Sequence, residues 1–231
     1  MFDRSQRTLI CFPPGRRGSY TIPGSVTNIG DRAFYNCELF SSVVIGSGVT
    51  SIGDEAFFDC ISLTNVAMGN SVTTIGDAAF YDCGLTSLTI PDSVTSIGSS
   101  TFHGCGGLKG IYFFGNAPSL GETVFNTRTT VYYLPGTTGW GATYGGLPTA
   151  PWVLPNPVIL TMPSGFGVGT NGFGFIISWA KKASVVVEAT ANLANPSWIP
   201  LTTNTLISGS AYFSDPQWTN YPSRFYRLRW P

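Results

Sequence analysis

The sequence predicts a mainly β protein with short helical turns: a solenoid of about five coils of 22–23 residues, followed by a small antiparallel β-sandwich. Three observations carry this. Phe34, Phe57, Phe80 and Phe102 stand 23, 23 and 22 residues apart, and Cys37, Cys60, Cys83 and Cys105 keep the same steps. A fixed period of that length marks stacked supersecondary units. Glycine and proline, 28 and 16 residues, are set among many Thr, Ser, Val and Tyr, which favours strands and turns over long helices. After residue 157, short apolar runs alternate with Gly, Asn and Pro turns at the spacing of a sandwich.

Each part of a coil follows from residue chemistry, as in "LTSLTIPDSVTSIGSSTFHGC" (85–105). Leu88 and Ile90 alternate with Ser87 and Thr89, the period-2 signature of a strand with one buried face. Pro91 ends the pairing. Val94 and Ile97 turn inward, and Gly98 is read as a corner of positive φ. The next position is Asp in three copies, Asp31, Asp54 and Asp77, a good helix N-cap. Phe and Cys follow three apart, which predicts one face of a single helical turn. A looser fifth copy places Leu120, Gly121 and Phe125 in the Ile, Gly and Phe columns. No such unit can bury its apolar face alone. Stacked copies form ladders in which each buried Phe, Ile or Leu contributes roughly 1.5 to 3 kcal/mol.

The stretches "YTIPGSVTNIGDRAFYNC" and "LTIPDSVTSIGSSTF" resemble the BspA-like class of leucine-rich repeats. The resemblance implies a bacterial secreted or cell-surface protein without enzymatic activity. "APSLGETVF" running into "TTVYYLPGTTGWG" is similar to the terminal repeat and cap of such proteins. "FDRSQRTLICFPPG" resembles a joint within a longer array, so Met1 is read as the start of a truncated or re-started chain. No N-terminal segment has the order of a signal peptide. The solenoid and its cap are assigned to residues 1–146 and a Pro-rich linker to 147–157. Residues 158–231 are assigned to a sandwich similar to Ig or fibronectin type III modules, with strands including "PVILTMP", "FGFIISWA" and "RFYRLRW".

Composition excludes several classes. Charged residues are 10% of the chain, with 12 basic and 12 acidic, so no field draws in nucleic acid. Thr129 to Ala180 holds no charge, yet Pro and Gly interrupt it too often for a membrane span.

The candidate chemistry is thin. The five cysteines lack the close pairs of a structural zinc site; the four on the period read as reduced apolar fillers of the ladder, and Cys11 lies outside it. Oxidation of one adjacent pair stays open, since a ladder step of about 4.8 Å is within disulfide reach. His103 is the only histidine, so a hydrolase would have to use it, with Asp82 of the previous coil in reach. No nucleophile elbow accompanies it. The aspartate row lies along one edge and does not face itself across a groove, as a glycosidase pair must. "GFGVGTNGFG" (165–174) lacks the Lys-Ser/Thr ending of a phosphate loop and reads as a turn. No cofactor or metal is expected.

Recognition is left to the surface. The outward strand positions are Ser42 and Val44, Asn65 and Ala67, Ser87 and Thr89, then Gly110, Tyr112 and Phe114, and last Thr130 and Tyr132. Early coils are small and polar there, while the last two carry aromatics, the side chains enriched at binding hot spots. The expected partner is a protein or polysaccharide bound near Tyr112, Phe114 and Tyr132, with Asn65, Ser87 and Thr89 on the same face. The alternative is carbohydrate binding by the sandwich. The unpaired N-terminal coil edge is a candidate for self-association.

Overall fold

The computed structural model describes residues 1–126, 128–161, 166–170 and 172–230. The chain divides into two units, Met1–Tyr133 with Thr137–Ala150, and Leu134–Gly136 with Pro151–Pro231.

The first unit is a solenoid. Two-residue strands Thr8–Leu9, Asn28–Ile29, Ser51–Ile52, Thr74–Ile75, Ser96–Ile97 and Ser119–Leu120 pair in that order into one six-stranded parallel sheet. Its register sets Ile29 against Ile52, Ile52 against Ile75 and Ile75 against Ile97, so each column becomes a row through the core. Longer strands line another side. Gly18–Thr21, Phe40–Ile45 and Asn65–Met68 form one parallel sheet. Leu88–Ile90, Gly110–Phe113 and Thr130–Tyr133 form a second, extended by the antiparallel pair Thr143–Tyr144 and Leu147–Pro151.

The gap between those two sheets falls where the period shortens. "CISL" (60–63) becomes "CGL" (83–85), and the missing residue draws the backbone in at Gly84. A Cβ there would overlap the Ile61 carbonyl, so only glycine fits.

Phe34, Phe57, Phe80, Phe102 and Phe125 are buried and stacked ring on ring, with centroids 4.6, 5.0, 5.8 and 5.7 Å apart. Offset parallel rings at these distances gain about 0.5–1.5 kcal/mol per pair beyond area burial.

Three local expectations fail in an informative way. The turn after the Asp column is not helical. Arg32, Phe34 and Asn36 donate their N–H groups to the carbonyls of Asp54, Ala56 and Phe58 in the next coil, at 2.9, 2.7 and 2.9 Å. The residues between them bond three back, Ala33 to Gly30 and Tyr35 to Arg32. An α-helix would spend those same donors within its own turn. The price is left-handed backbone at two columns: Arg32, Glu55, Ala78, Ser100 and Thr123, then Asn36, Asp59, Asp82 and Gly104. The glycine at the corner, second, is required by space and not by φ. Gly53, Gly76 and Gly98 all lack positive φ, and a Cβ on Gly53 would lie 2.7 Å from Asp31 N and closer still to its Oδ1. Third, the aspartates do not cap their own turns. Asp54 N–H donates to Asp31 Oδ1 at 3.0 Å, Asp77 N–H to Asp54 Oδ1 at 2.8 Å, and Ser99 N–H to Asp77 Oδ1 at 2.6 Å. Each carboxylate caps the neighbouring coil.

The second unit has two antiparallel sheets. Gly172–Ser178 pairs with Val158–Leu160, Gly167–Gly169 and Ser210–Asp215, and Ser184–Thr190 lies between Ile199–Thr205 and Phe225–Arg229. Phe175, Ile177 and Phe213 of one sheet bury against Val185 and Val187 of the other, with Leu206. The only helical element among the described residues is the 3-10 turn Trp218–Asn220. Leu147–Pro151, within the stretch read as linker, is a strand because Leu147 is buried against the solenoid core and its hairpin partner Tyr144 packs beside it. Met162 and Pro163 of "PVILTMP", and Gly165 and Asn171 of the Gly-rich stretch, lie outside the described residues.

Candidate functional site on the strand face

Alternation along the late strands turns one row inward and one outward. Leu88 and Ile90, Ile111 and Phe113, and Val131 are buried; Thr89 is exposed, and Tyr112 and Tyr132 are half-buried. Parallel pairing then sets Thr89 against Tyr112 and Tyr112 against Tyr132. The two tyrosines stack with centroids 4.9 Å apart and planes 9° from parallel. Gly110 makes room for this. A Cβ on it would lie 2.9 Å from the Tyr112 ring, so the ring rests on bare backbone two residues upstream.

Phe114 follows the strand, half-buried, with its N–H donating to the Ile90 carbonyl at 3.0 Å. Ser87 is exposed just before Leu88. Asn65 stands apart, on the other side of the break at Gly84. It pairs with Ser42, and its Nδ2 donates to Ser42 Oγ at 3.4 Å. The structure therefore gathers Thr89, Tyr112 and Tyr132 into one row and leaves Asn65 on a separate sheet.

A second aromatic group escaped the sequence reading. Trp140 stacks on Tyr133 at 5.3 Å and packs against Phe113 and Tyr144. Its Nε1 donates to Thr137 Oγ1 at 2.8 Å, and Tyr144 donates its hydroxyl to the Pro118 carbonyl at 2.7 Å. Burial pushes the Tyr144 phenol up. The only signal was the density of aromatics in "VYYLPGTTGWGATY" (131–144), which alternation alone does not resolve into faces.

The residues that looked like chemistry have structural neighbours. Cys60, Cys83 and Cys105 direct their thiols to the carbonyls of Phe34, Phe57 and Phe80 at 3.1, 3.0 and 3.1 Å. All five cysteines are free. Burial pushes the Cys37 and Cys105 thiols up to about 12 and raises Cys83 as well, which removes the thiolate that a nucleophile or metal ligand needs at neutral pH. His103 stacks on Tyr81 at 5.0 Å, continuing an outer ladder of Tyr35, Phe58 and Tyr81. Its Nδ1 meets Asn126 Nδ2 at 3.3 Å, and Asn126 Oδ1 accepts the Gly104 N–H at 2.8 Å. Asp82 sits against Gly104 instead. Among the described residues no group of three or more His, Cys, Asp or Glu is placed to hold a metal, and no helix is long and apolar enough to cross a membrane.

Stacked parallel coils with Ile and Phe rows define a leucine-rich-repeat solenoid. The model of the BspA-type leucine-rich repeat region matches residues 19–135, just over half the chain, in six copies, and the chain belongs to that family. Among solved structures, the pneumococcal vaccine antigen PcpA is similar at 26% identity and a TM-score of 0.51, over 57% of this chain and 34% of that one. A leucine-rich repeat protein of T. pallidum shares the fold at 24% identity and a TM-score of 0.51, over 57% and 66% of the two chains. A leucine-rich cell surface protein from Faecalibacterium prausnitzii is 33% identical, with a TM-score of 0.45, over 46% and 28%. The chain thus spans about a third of the Faecalibacterium and pneumococcal proteins it matches. A search of curated proteins returns no match.

Proposed function

We propose that this chain is a non-catalytic recognition protein, secreted or displayed at the cell surface, that binds a protein or polysaccharide through the strand face of its late coils. The observation that carries this is the stacked pair Tyr112 and Tyr132 in one outward row with Thr89, and Phe114 at its border. A stacked pair held at both strands has little conformational freedom left to lose on binding, which lowers the cost of capture. Tyrosine is also a frequent anchor because it offers apolar area and a hydroxyl together. The family and the burial of the thiols support the absence of catalysis. Residues 1–146 are the recognition array in this reading, 147–157 its exit, and 158–231 a fibronectin-type-III-like companion module.

The test is a glycan and protein array probed with the intact chain, followed by the same array with Tyr112→Ala/Tyr132→Ala. Binding to at least one array component should weaken about tenfold or more in the double variant, a loss of about 1.4 kcal/mol. A folded double variant with the parent's binding profile would show that the patch is not the contact.

A further inference from the structure

We infer a second, independent ligand site in the C-terminal unit: a cleft around Arg224 that takes a neutral saccharide. Two cavities, of ≈ 400 and ≈ 360 Å³, share a wall made by Leu201, Gln217 and Arg224. Each falls within the roughly 300–1,000 Å³ typical of small-ligand sites, and their shared wall makes them adjoining subsites for an extended ligand. Asn192, Asn195, Ser197 and Tyr221 complete the first, and Thr202, Asn204, Tyr212 and Asp215 the second.

Charge decides the ligand class. Arg224 and Asp215 are the only charged residues on either wall. They neutralise each other, with Nε 2.6 Å from Oδ2 and side chains 9% and 5% exposed. Asp215 has further partners: Tyr226 donates its hydroxyl to Oδ2 at 3.0 Å and the Gln217 N–H reaches Oδ1 at 2.9 Å. An anionic ligand finds no uncompensated cation here, and a cationic one no free carboxylate. What remains is amide, hydroxyl and guanidinium N–H groups, the mixture of donors and acceptors that matches hydroxyls able to do both. The Arg224 guanidinium lies 4.0 Å from the centroid of the Tyr221 ring, which covers one face of that ring and leaves the residue 41% exposed for stacking on a sugar ring.

An unmet donor points the same way. Asn204 Nδ2 is buried and has no partner among the described residues, although its side chain lines the second cavity. A buried donor left unpaired is costly, and native structures usually explain one by a water, an ion or a ligand. Asn192 is held differently, its Oδ1 accepting the Ala194 N–H at 2.9 Å, which orients the amide at the rim of the first cavity. Strand addition by a peptide would instead need alternating apolar pockets along an edge, whereas here Ile199 and Leu201 stand among Asn192, Asn195, Ser197 and Gln217.

The test is calorimetric titration of the intact chain with cellohexaose, xylohexaose, laminarihexaose and chitohexaose, and with a (Thr-Val)4 peptide as the competing class. At least one hexasaccharide should bind, and Asn204→Leu and Gln217→Ala should each weaken that binding about tenfold or more while the chain stays folded, since loss of one hydrogen-bonding group from a built polar site has effects of that size. Asn204→Leu should melt no lower than the parent, because it deletes an unpaired donor; Gln217 is exposed, so its variant keeps the test open whatever Asn204→Leu does to folding. Binding of none of the four sugars, binding of the peptide alone, or unchanged sugar affinity in the folded Gln217→Ala variant would each overturn the assignment.

Discussion

The corner aspartates of the solenoid and the buried acids of the second unit take different partners, although Arg32 and Glu55 of the solenoid also pair across coils, at 2.8 Å. In the solenoid, Asp31, Asp54 and Asp77 accept backbone N–H groups of the next coil, 22 or 23 residues on, and no arginine approaches them in these bonds. In the second unit, Glu188 accepts from Arg227 and Arg229, 39 and 41 residues away, and Asp215 pairs with Arg224. Stacked coils leave backbone donors facing the next coil at every corner, and a carboxylate in a fixed column answers all of them alike. Two antiparallel sheets satisfy their backbone within strands and use side-chain charges to tie distant strands together. The corner aspartates are thus parts of a repeated scaffold, whereas Glu188 and Asp215 are single ties with no counterpart among the described residues of their unit.

The largest expected effect tests the array. Phe57→Ala removes the second ring of a five-ring stack, with a neighbour on each side, and should cost about 3–5 kcal/mol, read by urea unfolding. Gly76→Ala comes next. Its Cβ would lie 2.7 Å from Asp54 N, so the coil spacing must open, at about 1–3 kcal/mol of overpacking strain. A loss under about 0.5 kcal/mol would mean that the Asp–Gly corner is looser than it stands.

Ala78→Gly should move the other way. Ala78 has φ of 50°, and relieving left-handed backbone at a half-exposed alanine should stabilise by about 0.5–1 kcal/mol, while Ala79→Gly, buried next door, should destabilise. If both glycines destabilise, the turn owes its shape to something other than the bonds to the next coil.

The second unit should show its own acid sensitivity. The hydrogen bonds from Arg229 and Arg227 hold the Glu188 carboxyl below the usual value of 4.5. A depressed folded value contributes stability that is present above pH 4.5 and lost as pH falls through the folded value. Glu188→Gln should therefore flatten the acid limb of stability against pH for this unit, followed by the near-ultraviolet signal of Trp198, which lies 4.4 Å from Arg227.

Much of the array is legible because its contacts repeat with the period. Ile29, Ile52, Ile75 and Ile97 are one column in the sequence and one row in the sheet. The corner is misread because Asp followed by Phe and Cys three apart also fits a helical turn. One of its two left-handed columns did carry a signal, since Asn36, Asp59, Asp82 and Gly104 are the residue types that tolerate positive φ. Arg32, Glu55 and Ala78 carry none. On the strand face, alternation turns Tyr112 and Tyr132 outward together, but the separation of Asn65 from Thr89 depends on how the backbone absorbs one lost residue at Gly84. The Arg224 cleft was out of reach, because nothing periodic links Asn204, Gln217 and Arg224.

The central claim is that the repeated columns build the array and the departures from them recognise a partner. Binding of the array-identified ligand should be measured by surface plasmon resonance for two variants that divide these roles, Asp54→Ala and Tyr112→Thr/Tyr132→Thr, the latter copying Thr89 of the same row. Asp54→Ala should lose about 0.5–2 kcal/mol of stability and, where folded, bind like the parent. The threonine pair should keep its strands and bind about tenfold more weakly or worse. Weak binding by folded Asp54→Ala together with parental binding by the threonine pair would contradict the account.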